Sequence, residues 1–412
     1  MDLNRGRQAL SIPGPSVMPD RVLSAMNIPM PNIYEGALVD MSQSVFDDLP
    51  KIARTKGQVF VSISNGHGAW EMALTNTLCR GDHVLVLNTG RFAEGWGNQA
   101  KLLGAEVEQI DFGEQAPIDP DVVEDRLRQD AEHKIKAILL VQIDTASGVW
   151  NDIKAIREAI DAAGHPALYM VDTIASLGCV PYEMDDWGVD VTVGGSQKGL
   201  MVPPGLGFVW ASDKALAAHA TSDMRTPYWD WTARSTPGAH YVKYCGTAPV
   251  QHVHAMRTAM DMLFEEGLEN VWARHAVFAK AVRAAVDAWS TDNGIGFNIK
   301  DPAHRSDSTT TVLTGGIDAD ALRQICEHRA GLVLGIGLGG FQGRAFRIGH
   351  MGHLNPPMLL GTLGTVEAAL SSMDAPLGGS GIARASEVIA GALANGRAAA
   401  AQDAGAGCCD GG

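Results

Sequence analysis

Residues 190–199 read Asp-Val-Thr-Val-Gly-Gly-Ser-Gln-Lys-Gly. A β-branched run, Val191 to Val193, passes into a glycine-rich turn that ends on Lys198. β-Branched residues suit a pleated, buried strand, and paired glycines stop one. The stretch predicts a strand over Asp190 to Gly194, with Lys198 just past its carboxyl end.

Working outward, the same punctuation recurs. Gln58 to Ile63, His83 to Leu87, Glu106 to Asp111, Ala137 to Ile143, Ala167 to Asp172 and Gly207 to Ala211 read as further strands. Helical periodicity separates several of them, at Ala69 to Leu78, Phe92 to Gly104 and Lys154 to Ala163. This alternation predicts an α/β fold with a mostly parallel sheet covered by helices. Ligands of such sheets bind outside the carboxyl ends of the strands, where Lys198 stands.

At 412 residues the chain is too long for one core. Residues 252–289 read as helical with few breaks. A second pattern over about 295–372 has strand candidates Thr309 to Leu313 and Ala345 to Ile348, and helix candidates Asp320 to Ala330 and Met358 to Met373. We expect a large domain over 16–278, a smaller α/β domain from 1–15 together with 279–375, and an Ala/Gly-rich tail over 376–412. Part of the tail has helical composition, while its last ten residues, Asp403 to Gly412, are expected to be disordered.

The chain is 46% hydrophobic and 19% charged, with a formal charge of -15. That acidity argues against a nucleic-acid partner and gives no attraction to anionic lipid. No apolar run approaches the roughly 20 residues that span a bilayer. The first 15 residues lack a signal-peptide core, so a cytoplasmic protein is expected. The six cysteines, Cys79, Cys179, Cys245, Cys326, Cys408 and Cys409, form no C-x-x-C pair and read as reduced thiols. The thirteen histidines show no metal-ligand spacing.

Twenty-six residues before Lys198, Val171-Asp172-Thr173 closes another strand candidate. A pyridoxal-phosphate (PLP) enzyme needs a lysine amine to hold the cofactor's aldehyde as a Schiff base. It also needs a carboxylate to keep the pyridine nitrogen protonated. Lys198 and Asp172 are placed for these two roles. A third stretch, Ser64-Asn-Gly-His-Gly-Ala-Trp-Glu71, turns from a strand into a helix. Such a turn presents backbone N–H groups and the positive end of a helix dipole, which suit a phosphate. Taken singly, each feature has an ordinary reading: a solvated lysine, a capping aspartate, a tight turn.

Together they resemble the class V aminotransferases, PLP enzymes of fold type I, and within them the alanine/serine–glyoxylate aminotransferase group. The matching stretches are Ile12-Pro-Gly-Pro-Ser16, Asn65-Gly-His-Gly-Ala-Trp-Glu71, Val171-Asp-Thr-Ile-Ala-Ser-Leu-Gly178, Gly194-Gly-Ser-Gln-Lys-Gly199 with Pro203-Pro-Gly205, and Phe346-Arg-Ile-Gly-His-Met-Gly352. Their order fits over roughly residues 10–372. The resemblance implies a large domain with a seven-stranded, mostly parallel sheet, and ping-pong transfer of an amino group from a small amino acid (serine, alanine or aspartate type) to glyoxylate. It implies that Asn65, Gly66, His67 and Gln197 hold the phosphate. Phe92 would lie against the PLP ring and Thr145 would bond its 3-hydroxyl. Arg347 would take the substrate carboxylate, as a guanidinium fork does, with Gly14 and Tyr34 near the substrate. Tyr244 and Thr247 would reach the neighbouring subunit's phosphate, which implies a homodimer with shared sites.

Some features point elsewhere. Gly335-Ile-Gly-Leu-Gly-Gly340 satisfies G-x-G-x-x-G, but a strand-like segment follows it and no acidic residue appears until Glu367. A dinucleotide site needs a helix and an acid about 20 positions on, so we read a loop near Arg347. Pro227-Tyr-Trp-Asp-Trp231 reads as packing under a loop, with a part in a dimer interface or substrate access as the alternative. Pro31-Asn-Ile-Tyr-Glu-Gly36 departs from the His-Arg-Ser type of many glyoxylate aminotransferases, which leaves room for a pyridoxamine or ureidoglycine donor. A PLP lyase of cysteine desulfurase type ranks lower, because that chemistry needs a cysteine on a mobile loop and Cys326 falls in a helix candidate.

Overall fold

The structure is a computed structural model that describes residues 3–406 apart from 239 and 293. Cys408 and Cys409 lie outside the described residues. Seven strands form the larger sheet, in the order Gln58–Ser64, Gly205–Ala211, Val191–Gly195, Leu168–Asp172, Ile135–Val141, His83–Asn88 and Glu106–Asp111. Only Gly205–Ala211 runs against its neighbours; the other adjacent pairs are parallel. Three central strands are buried along their whole length, apart from Lys136 near the start of Ile135–Val141. This explains their unbroken apolar runs, since both faces are covered. One hydrophobic cluster lies on each face, around Leu140, Tyr169 and Trp210 on one side and around Leu139, Met170 and Trp96 on the other.

The smaller sheet has five strands, ordered Ala9–Ser11, Leu332–Ile336, Ala345–Gly349, Thr309–Thr314 and Ile295–Phe297. Ala9–Ser11 pairs in parallel with Leu332–Ile336, and the remaining pairs are antiparallel. The extreme N-terminus thus crosses to this sheet. It then returns through Pro13 and Gly14 to the crevice above the larger one.

Three details depart from expectation. The helical stretch at 252–289 is two helices, Val250–Glu266 and Leu268–Trp289, broken at Gly267, whose φ of 84° a helix does not accept. The strand read as Ala137 to Ile143 ends at Val141, and Ile143–Asp144 instead forms a two-stranded ribbon with Val149–Trp150. The tail folds as a helix, Gly381–Ala406, so Asp403 to Ala406 are helical rather than disordered. Among the described residues, no helix is long and apolar enough to cross a membrane.

Candidate active site

The strands of the larger sheet deliver their following residues to one crevice. Asn65 follows Ser64, Phe92 follows Asn88, Thr145 follows Val141, Asp172 ends its strand and Lys198 follows Gly195. A cavity of about 210 Å³ lies there, lined by Asn65, Gly66, His67, Phe92, Thr145, Asp172, Gln197 and Lys198 among others. Residues scattered over 134 positions of sequence converge because parallel strands share one carboxyl edge.

Lys198 is clamped through its backbone. Ser16 N donates to Gln197 O at 2.8 Å and Ser16 Oγ donates to Lys198 O at 2.7 Å. Its Nζ donates to Pro13 O. Burial lowers the Lys198 ammonium to about 8, helped by nearby Arg347 and opposed by Asp172. Gly14 lies directly against this side chain. A Cβ at Gly14 would stand 2.4–2.5 Å from Lys198 Cδ, Cε and Nζ.

Asp172 is 3% exposed. Its Oδ1 accepts from Ile174 N at 2.7 Å and its Oδ2 from Trp70 Nε1 at 2.7 Å. Burial pushes its carboxyl up to about 7 against the pull of those two donors. Such a buried carboxylate is stabilised by a cation placed beside it.

The turn at residues 65–68 is already partly satisfied. Asn65 caps the helix Gly66–Thr77, its side chain accepting from His67 N at 3.1 Å and Gly68 N at 3.4 Å. The Asn65 side-chain oxygen and the His67 amide thus bond to each other, and both residues line the cavity. Gly66 packs closely on Ile174: a Cβ there would lie 2.2 Å from Ile174 Cδ1, so the isoleucine would have to shift. Burial, and then Arg91, lower the pKa of His67. Gln197 Oε1 is buried without a partner.

Arg347 is 7% exposed. Its Nε donates to Ile336 O at 2.6 Å and its Nη1 to Thr145 O at 2.8 Å. The Gly335–Gly340 stretch therefore lies against the arginine. Gly335 and Ile336 still belong to the strand Leu332–Ile336. Burial lowers Arg347 to about 10, and Asp144 opposes this.

Gly14, Tyr34, Tyr244, Thr247 and Arg347 are not among the residues lining this cavity. Tyr34 is 73% exposed, is not among the cavity's lining, and sets its ring edge-on to Tyr241 at 6.4 Å. Tyr244 is 2% exposed and its hydroxyl bonds to Ser42 of the same chain. It also packs on Phe46. Thr247 is exposed. Of the aromatic cluster, Trp231 stacks on Phe60 with centroids 4.6 Å apart, which is the packing role, and Tyr228 stays at the surface. Cys326 is fully buried in the helix Ala319–Ala330, and burial pushes its thiol up to about 11, unlike a mobile nucleophile.

Two site residues carried no role in the sequence reading. Trp70 was visible only as a letter in a matching stretch, and Asp144 only as a neighbour of Thr145. Both act across large sequence separations, and a local pattern carries no signal for that.

The family model for class-V aminotransferases matches residues 51–339. The serine–glyoxylate aminotransferase of Methylorubrum extorquens is 40% identical over 395 residues, covering 93% of this chain and 96% of that one. The L-aspartate–glyoxylate aminotransferase of Paracoccus denitrificans is 37% identical, covering 91% and 94%. Among solved structures, the pyridoxamine–pyruvate aminotransferase of Mesorhizobium loti superposes with a TM-score of 0.86 at 28% identity, covering 95% of this chain and 100% of the other. The two-sheet architecture is therefore fold type I of the PLP enzymes, as the sequence led us to expect. On the strength of the matching model, the near full-length relatives and the shared fold, the chain belongs to the class-V aminotransferase family.

Proposed function

We propose that this protein is a PLP-dependent aminotransferase that moves an amino group from a small amino acid to glyoxylate, giving glycine. The observation that carries the reading is the pairing of Lys198 and Asp172 in one cavity beside Arg347. The residues present fit PLP. An amine whose ammonium is lowered to about 8 suits an aldehyde, and a buried carboxylate calls for a ring cation. Gln197 lines the cavity, where its amide N–H can donate to a phosphate oxygen.

Lys198 would anchor the cofactor and Asp172 would hold its ring nitrogen protonated. Asn65, Gly66, His67 and Gln197 would surround the phosphate, with Phe92 and Thr145 beside the ring. When bound, PLP supplies the electron sink that lets the amino group leave one carbon skeleton and join another. Arg347 binds the substrate carboxylate with the N–H groups that Ile336 and Thr145 leave free. Lys198 Nζ would take the proton from the donor's Cα and deliver it to the cofactor's former aldehyde carbon within the same half-reaction, and would run that transfer in reverse with the acceptor.

The names of the relatives support glyoxylate as acceptor, and the tight fit of Gly14 against Lys198 supports a small one. We place residues 16–278 in the PLP-binding domain and 1–15 with 279–375 in the small domain. The working form is a cytoplasmic homodimer in which exposed Thr247 contacts the partner's cofactor. The test is kcat/KM on the aminated enzyme for glyoxylate, pyruvate and 2-oxoglutarate. Glyoxylate should lead pyruvate, one carbon longer, by about 10–200-fold, the usual range for one methylene, and 2-oxoglutarate, three carbons longer, by at least as much. A value for either larger acid that equals it removes the glyoxylate assignment.

A further inference from the structure

Asp172 sits where charge is disfavoured, 3% exposed and pushed up to about 7 by burial. A protonated carboxyl there would no longer hold a ring cation. Two hydrogen-bond donors oppose protonation, and the charge of Lys198 adds to them. One is the Ile174 amide, which comes with the local turn. The other is the Trp70 indole, which arrives from the helix Gly66–Thr77, 102 positions away in sequence, at 2.7 Å. An indole nitrogen donates and never accepts, so its bond stabilises the anion of Asp172.

Packing sets the direction of that N–H. The Trp70 ring stacks on Trp96 at 6.0 Å with 15° between planes, and His67 leans on it at 4.6 Å. Trp70 lines the same cavity as Asp172. Two other buried indoles, Trp96 and Trp231, leave their N–H without a partner. Trp210 and Trp289, also buried, donate to Leu49 O and Glu367 Oε2, so each indole's partner is set by its own surroundings.

We propose that Trp70 is a positioning residue for Asp172, whose N–H orients the carboxylate and keeps it ionised toward the cofactor's ring nitrogen. Ile174 and Trp70 take one lone pair on each oxygen and leave a second on each. The proposal rests on the PLP reading above and adds a residue to that site.

The test titrates apoprotein with PLP and with 1-deaza-PLP, which keeps the aldehyde and phosphate but has C–H in place of the ring nitrogen. Wild type is compared with Trp70→Phe and with a protein carrying 3-benzothienylalanine at position 70, which replaces only the N–H by sulfur. Affinity for PLP should fall about tenfold in both, the usual loss for one hydrogen bond to a charged group. Affinity for the deaza compound should stay within about twofold, since that ring has no nitrogen for Asp172 to hold. Equal losses for both compounds would reduce Trp70 to packing, and unchanged PLP affinity in the benzothienyl protein would remove the N–H from the site. Wild type that fails to take PLP on Lys198 overturns the cofactor reading itself. Wild type that binds PLP through Lys198 while position 70 proves indifferent overturns only the role of Trp70.

Discussion

Asp144 caps the helix that carries Phe92 from outside that helix. Its Oδ2 accepts the Phe92 amide at 2.7 Å while Oδ1 accepts that of Ala146 at 2.8 Å. The helix Arg91–Leu103 has Gly90 at its N-cap and no side-chain cap of its own. A Cβ at Gly90 would lie 2.5 Å from the Asp144 carboxyl carbon, so the glycine makes room for the borrowed cap. Burial pushes Asp144 up to about 6, and the three backbone amides of Phe92, Ala146 and Ser147 pull it back.

Asp144→Ala should therefore strand buried amides and lower stability by about 1–3 kcal/mol. It should also loosen Phe92 at the cofactor ring and weaken PLP binding. Urea unfolding of the apoprotein reads the first effect and PLP titration the second. An unchanged urea midpoint would show that the cap carries nothing.

Gly14→Ala places a methyl within 2.5 Å of the Lys198 side chain, and the φ of 92° at this position disfavours any side chain. Lys198 must move from its position against Pro13. Borohydride trapping of PLP on Lys198 should fall sharply, and turnover with it, while circular dichroism stays native. Trapping at the wild-type level would mean that the lysine swings clear without loss.

Arg347 is held by Ile336 O and Thr145 O, so its guanidinium is fixed in orientation and would meet a substrate carboxylate from one direction. Lysine has neither the fork nor the two anchors. Arg347→Lys should raise KM for glyoxylate, pyruvate and 2-oxoglutarate together by about 10–100-fold, the loss of a charged hydrogen bond. Steady-state kinetics on the three acids decide it. A change confined to one acid would show that the arginine reads the side chain rather than the shared carboxylate.

Asp130, away from the site, gives a clean pH signature. Burial raises its carboxyl, but the amides of Ile135 and Lys134 and the ring of His165 outweigh it and hold it at about 2. The unfolded value is about 3.9. Because the folded value is the lower one, the stabilisation is fully present above the unfolded value and is lost as pH falls through about 2. Asp130→Asn should lower stability by about 1–2 kcal/mol at pH 6, a deficit that shrinks toward zero near pH 2. Urea midpoints of both proteins across this range test it. A deficit that is independent of pH would assign the loss to packing.

The sequence by itself determined the strands, their alternation with helices and the placement of Asp172 and Lys198 at strand ends. Those features depend on side-chain periodicity and turn chemistry within a dozen residues, which neighbours in sequence control. The family stretches, from Ile12-Pro-Gly-Pro-Ser16 to Phe346-Arg-Ile-Gly-His-Met-Gly352, were legible for the same reason. Only the tertiary structure decided which donor meets which acceptor. Strand order brings Trp70 to Asp172 and Asp144 to Phe92, and the crossing of the N-terminal strand to the smaller sheet brings Gly14 to Lys198. The same packing turned Tyr244 inward to Ser42, left Tyr34 at the surface and set Asn65 to capping its own helix. A hydroxyl, a ring or an amide finds its partner by distance in space, and distance along the chain does not report it.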